Sequence, residues 1–319
     1  MSAALHGGPD AQGVPLWDFS TNANACGPAP NVMHALRQAD ATRYPDPAYT
    51  GLREQLASFH AVSADRIVVA ASASEFIVRM TAVVARRWPQ ATVHAPLPGY
   101  ADYARAAQAH GLRQLPSAGD ALLVWHTEPG SPDGCSRRAP ATREGAVLVV
   151  DCAYAPLRLE GEAMPLPPQA WQLMSPNKAL GLTGIRAAYA MAPSGSEELQ
   201  AGLQATAPSW PIGAHGVAML AAWAEADTQA WLADCLPTLR EWKRQQLDRC
   251  AELGWACHDS VTPFYLAAWP HAPLLPRLRE LGVKLRDTTS MGLPGHVRLS
   301  VQPPRAQQAL QSAWRKVSP

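Results

Sequence analysis

The sequence predicts an α/β fold: a mostly parallel sheet flanked by helices in one large unit, with a smaller C-terminal α/β unit. Three observations carry this. Short apolar runs of strand length alternate with amphipathic helical patterns along most of the chain, the order that builds strand–helix crossovers. One run, Ala146-Val147-Leu148-Val149-Val150, is uninterrupted, as in a strand covered on both faces. At 319 residues the chain is long enough for one large and one small domain, each with a core. The expected division is an N-terminal arm at 1–17, a large domain at 18–225 and a small domain at 226–319 that takes in part of the N-terminal segment.

Composition narrows the function classes. A formal net charge of +1 provides no basic field, so nucleic acid and acidic membrane surfaces have no electrostatic support as partners. No apolar run reaches the roughly 18 residues of a membrane span, and the first residues lack a charged-then-apolar leader pattern. The chain therefore reads as cytoplasmic. Its 6 cysteines form no C-x-x-C pair and no grouping with histidine that suits a metal, which predicts free thiols and no metal site. The 30 prolines interrupt the chain rather than repeat, as in ordered turns.

Taken in order, residues 1–16 are polar, rich in Gly and Pro and without pattern, and read as a loose arm. Asp18–Pro28 reads as an extended turn whose asparagines bond local backbone. A short helix at 32–38 is broken by Arg43-Tyr44-Pro45-Asp46-Pro47, and Leu52, Leu56 and Phe59 mark the inner face of the next helix. A strand at 66–70 runs through Ala71-Ser72-Ala73-Ser74-Glu75 into an apolar helix. Small residues at such a turn leave the first helical N–H groups open to an anion, with serine as a helix cap. Strands follow at 92–95 and 121–125, separated by an alanine-rich helix that ends at Gly111. The strand at 146–150 ends in Asp151, and a carboxylate there is costly to bury unless it meets a cation. A strand at 187–191 and helices at 197–204 and 217–224 lead to a long helix with Trp231, Leu236, Leu239, Trp242, Leu247 and Leu253 inward. Short strands at 264–268, 283–285 and 297–301 alternate with helices at 275–281 and 306–317, the last with Pro304 near its start.

The chemistry concentrates in Ser175-Pro-Asn-Lys178-Ala-Leu-Gly-Leu-Thr-Gly-Ile-Arg186. Lys178 follows the apolar run Trp171–Met174, and the small residues Ala179, Gly181 and Gly184 let backbone crowd around it. An amine presented in this way is a nucleophile towards an aldehyde. Ser175 and Arg186 bracket it with a hydroxyl and a planar donor fork suited to phosphate.

This spacing, Ser-x-x-Lys, then Gly-Leu-x-Gly, then an arginine eight residues after the lysine, resembles the cofactor-lysine segment of fold-type I pyridoxal-phosphate (PLP) enzymes. The likeness is to the histidinol-phosphate aminotransferases and the neighbouring threonine-phosphate decarboxylases, and it covers essentially residues 18–302. It implies PLP bound to Lys178 as a Schiff base, with Asp151 holding the pyridine nitrogen protonated, Tyr154 and Ser131 on the phenolate oxygen, and Tyr100 stacked on the ring. Ser131 replaces the asparagine of the family's Asn-Pro-x-Asn-Pro-x-Gly loop, and its hydroxyl has a shorter reach. Ala73, Ser74, Ser175 and Arg186 would hold the phosphate, joined by Tyr44 from the partner subunit of a homodimer. Arg298, with Arg286 as a second position, matches the substrate-anion arginine, and Asn24 lies in the segment beside the active site. The implied activity is transamination of a small amino acid or amino phosphate between a small-molecule amino donor and acceptor. PLP-dependent decarboxylation is the first alternative, and a non-catalytic relative, motivated by Ser131, is the second.

Overall fold

The structure, a computed structural model, describes residues 7–269 and 272–318. It opens with β1 (Trp17–Asp18), α1 (Pro30–Gln38) and α2 (Thr50–His60). The alternating part comprises β2 (Ile67–Ala70), α3 (Ala73–Arg87), β3 (Thr92–His94), α4 (Ala101–Ala109), β4 (Arg113–Gln114), β5 (Leu123–Thr127), β6 (Val147–Asp151), β7 (Trp171–Met174) and β8 (Ala188–Met191). Helices α5 (Glu197–Ala205), α6 (Ala214–Trp223) and α7 (Ala226–Glu252) follow. The C-terminal part holds β9 (Ala256–Cys257), β10 (Phe264–Ala268), α8 (Leu275–Glu280), β11 (Val283–Lys284), β12 (Arg286–Asp287), β13 (His296–Ser300) and α9 (Pro304–Val317).

The 7-stranded sheet has the order β2-β8-β7-β6-β5-β3-β4. Only β8 runs against its neighbours, so the sheet is mostly parallel, as the alternation predicts. Successive side chains of a strand face opposite ways. Val124, Leu148 and Val150 accordingly join a core with Leu52, Leu56, Met219 and Leu239. Leu123, Trp125, Val147 and Val149 join another with Phe76, Met80, Tyr103 and Leu203. Burial on both faces is why the 146–150 run carries no polar residue.

The smaller unit is an antiparallel 4-stranded sheet, β12-β13-β10-β9, whose core joins Tyr265, Leu299, Trp255 and Trp314 to Cys250 at the end of α7. Helix α7 thus starts in one core and ends in another, and the residues expected on its inner face pack against the two. Of the residues expected inward only Leu239 is fully buried. The deepest stripe also takes Thr228, Leu232, Cys235, Lys243, Gln246 and Cys250. Its polar members are paired: Lys243 Nζ donates to Glu160 at 2.8 Å, and Gln246 Nε2 to Tyr265 Oη and Ser300 O at 3.0 Å. Phe59 is 36% exposed, while Leu52 and Leu56 are buried as expected.

The predicted loose arm is tied down from residue 7; residues 1–6 lie outside the described part. Trp17 and Asp18 pair in parallel with Val283 and Lys284. Asp10 takes Arg279 at 2.8 Å and Lys284 at 2.9 Å. The single strand expected at 283–285 is replaced by two short ones, β11 pairing with β1 and β12 with β13, while Val283 and Leu285 both join the core. No described helix is long and apolar enough to cross a membrane.

Candidate active site

A cavity of about 470 Å³ lies where the parallel strands end, the position that open α/β sheets give to ligands. Thr127 and Asp151 stand at the ends of β5 and β6, and Ser175 follows β7. Ala73, Ser74, Tyr100, Ser131, Tyr154, Lys178, Arg186, Arg286 and Arg298 complete the set of predicted residues on its wall. Tyr44 and Asn24 are not on it.

At the floor, Asp151 is 7% exposed. It accepts from Tyr103 Oη at 2.8 Å and from the Ala153 amide at 3.0 Å. Burial pushes its carboxyl above the usual carboxylate range, while the charge on Lys178 and these two donors oppose the rise. Lys178 Nζ lies 5.4 Å from the centre of the Tyr154 ring. The turn that carries it is packed as the small residues predict: Ala179 and Leu180 are fully buried. A Cβ on Gly181, whose φ is +69°, would stand 3.2 Å from Asn24 O. Gly184 departs from the expectation, since open space surrounds it.

The N-terminus of α3 forms one wall. Ser72 caps it by accepting from the Glu75 amide at 3.0 Å, which leaves Ser74 free to meet the Tyr100 hydroxyl at 2.9 Å. That bond fixes the Tyr100 ring over the cavity. Ser175 donates to Asn177 Oδ1 at 3.3 Å.

The opposite wall is cationic. Arg286 and Arg298 are directly paired across β12 and β13 and are 6% and 7% exposed. Arg286 reaches Ser290 Oγ at 3.3 Å, and Arg298 reaches Ser20 O at 3.2 Å. Burial and the neighbouring Arg298 pull Arg286 down to about 10, and burial lowers Arg298 as well. Among the described residues neither forms an ion pair with a carboxylate, and Arg298 Nε has no hydrogen-bond partner. Two adjacent buried cations are unfavourable alone. An anion entering the cavity would relieve both.

Two predicted positions lie elsewhere. Tyr44 is 76% exposed and stacks on Trp210, with ring centres 4.2 Å apart. Asn24 lies off that wall: its carboxamide donates to Ala179 O and accepts from the Cys26 amide, both at 3.0 Å, and so braces the lysine turn. Of the two asparagines in this segment it is Asn22 that lies on the cavity wall; it donates to Tyr154 Oη at 3.4 Å and has Oδ1 unpartnered. Nothing in the Asn-x-Asn spacing distinguishes the two. Tyr103 was also missed, although it lies three residues after Tyr100 and so shares its helical face.

The family model for aminotransferase class I and II matches residues 14–119 and 117–316. The histidinol-phosphate aminotransferase of Halorubrum lacusprofundi is 31% identical over 316 residues, 89% of this chain and 84% of that one. Among solved structures, histidinol-phosphate aminotransferase from Sinorhizobium meliloti in complex with pyridoxal-5'-phosphate superposes with a TM-score of 0.74 at 22% identity, covering 93% of this chain and 89% of that one. The L-threonine-O-3-phosphate decarboxylase of Porphyromonas gingivalis gives 0.76 at 20% identity, with 93% and 98% covered. At these identities the two structural likenesses establish the fold alone.

Proposed function

The chain belongs to the aminotransferase class I and II family, and from that premise we propose that it is a PLP-dependent aminotransferase acting on a small amino phosphate of the histidinol-phosphate kind. The observation that carries the substrate class is the buried pair Arg286 and Arg298 without a carboxylate partner.

The donor set fits PLP. A buried carboxylate, Asp151, would accept a hydrogen bond from the protonated ring nitrogen, whose charge would offset the burial that favours its neutral form. Ser74, the Ala73 amide, Ser175 and Arg186 would take the phosphate, and Tyr154 and Ser131 would donate to the phenolate oxygen. Tyr100 would cover one face of the ring. When bound there, PLP supplies an electron sink for charge developing at the amino-bearing carbon. Lys178 Nζ would hold the aldehyde carbon until the substrate's amine displaces it, and the freed Nζ would move the proton at the substrate's amino-bearing carbon as general acid and base. Arg298, with Arg286 beside it, orients the substrate's anionic group.

The exposed Tyr44–Trp210 pair supports a homodimer in which Tyr44 of a second copy reaches the phosphate. The six cysteines are free, which supports a cytoplasmic setting.

The test is to load the purified protein with PLP and supply histidinol phosphate with a 2-oxo acid. The expected result is transfer of the amino group to the 2-oxo acid, lost in Lys178→Ala together with the borohydride-fixed adduct. No transfer, with carbon dioxide released from L-threonine O-3-phosphate instead, would overturn the aminotransferase reading.

A further inference from the structure

Tyr103 is fully buried, and no part of the chemistry above uses it. Its ring lies nearly parallel to Trp125, with centres 5.0 Å apart at 16°, and edge-on to Tyr100 at 5.7 Å and 85°. Clamped between two rings, the phenol cannot swing, and its hydroxyl donates to Asp151 Oδ2 at 2.8 Å. The backbone amide of Ala153 holds the other carboxylate oxygen at 3.0 Å. Two rigid donors, one on each oxygen, fix the plane of the carboxylate.

We propose that Tyr103 is a positioning residue: its hydrogen bond orients the Asp151 carboxylate towards the ring nitrogen of the cofactor. Helix α4 then sets two contacts at once, the ring edge through Tyr103 and Asp151 and the ring face through Tyr100 at the helix N-cap. The inference rests on the PLP reading above.

The same bond favours ionised Asp151. Burial favours the neutral acid, and the charge of Lys178, the Tyr103 hydroxyl and the Ala153 amide oppose it. The other titratable groups turned towards Asp151, Tyr100 and Cys152, are weak acids that burial raises further. They stay neutral across the working range, which leaves Lys178 and Tyr103 as the groups that set its ionisation. Taking a donor away from an anion raises the pH at which it binds a proton. The pH below which Asp151 can no longer neutralise a protonated ring therefore moves up when the phenol is removed.

The experiment titrates wild-type protein, Tyr103→Phe and a protein with 3-fluorotyrosine at position 103 with PLP across pH, following cofactor absorbance. Tyr103→Phe should load about tenfold to a hundredfold more weakly, the range for a hydrogen bond to a charged group, and its acid limit of loading should move to higher pH. Fluorotyrosine keeps the packing but is a stronger donor, so its acid limit should move to lower pH. A role in packing alone would move neither limit. Wild-type affinity and an unmoved acid limit in both proteins overturn the proposal and leave the PLP reading standing. Should Tyr103→Phe fail to fold, the fluorotyrosine protein decides by itself. Wild-type protein that takes up no PLP would overturn both readings.

Discussion

Arg298 is held at three sides by its own fold, with Ser20 O on one nitrogen, the Phe264 ring 5.7 Å from its guanidinium carbon and Arg286 across the strand pair. None of these is an anion, so the charge is available to a substrate. Hydrogen bonds to charged groups are worth about 1.5–3 kcal/mol, and each ~1.4 kcal/mol is tenfold in affinity. Arg298→Ala should therefore raise KM by roughly one to two orders of magnitude. Loading with PLP should be unchanged, because Asp151 and Arg186 belong to the other side of the cavity. Steady-state kinetics beside a cofactor titration separates the two. Loss of PLP in Arg298→Ala would move this arginine to the cofactor.

The loop after β5 carries Ser131 and is braced by the segment between β9 and β10. The Gly130 amide donates to Cys135 O at 2.7 Å, and the Val261 amide donates to Gly134 O at 2.9 Å. Gly134 has φ +72°, and a Cβ there would lie 2.1 Å from Ser260 Oγ and 2.4 Å from Thr262 Oγ1. Gly134→Ala combines a left-handed backbone penalty of roughly 1–2 kcal/mol with an overpacking penalty of about 1–3 kcal/mol. The denaturant midpoint should fall accordingly, and Ser131 should shift from the cavity wall. An unchanged midpoint would mean that the loop is not clamped against 260–262.

Whole-molecule stability should depend on pH through His60. Its Nε2 lies 2.7 Å from Tyr189 Oη, a hydroxyl that also accepts from Trp223 Nε1 at 3.1 Å and so turns its proton to the imidazole. Burial lowers His60 from 6.5 to about 4. The folded protein therefore binds fewer protons than the unfolded chain between these values, and stability rises with pH there. This contribution is complete above about 6.5 and is lost as pH falls towards 4. The thermal midpoint of wild type should drop over that window more than that of His60→Gln; parallel curves would assign the drop to other groups. At the same scale, Tyr44 predicts a dimer. Sedimentation should give twice the chain mass at micromolar concentration, and Tyr44→Ala should weaken PLP loading although no part of Tyr44 lines its own cavity. A monomer with full turnover would remove this role.

The order and kind of the elements were legible in the chain because burial on one face or two is written locally, residue by residue. Val147–Val150 could be read as a doubly covered strand, and Ala101–Ala109 as a helix closed by Gly111. Most of the site was legible too, since Lys178, Asp151, Tyr154 and Arg186 keep a spacing that resembles a known family. What a one-dimensional pattern does not record is which neighbours meet. Asn22 and Asn24 have the same chemistry in the same tripeptide, yet only packing turns one to the cavity and spends the other on Ala179 O. Residues 7–18 carry no periodicity, and their order comes from partners near position 280. The inner stripe of α7 follows neither core alone, because the helix crosses from one to the other. The pairing of Arg286 with Arg298 is decided by the register of two strands, and it is this tertiary contact that leaves two buried cations facing the cavity without an anion of their own.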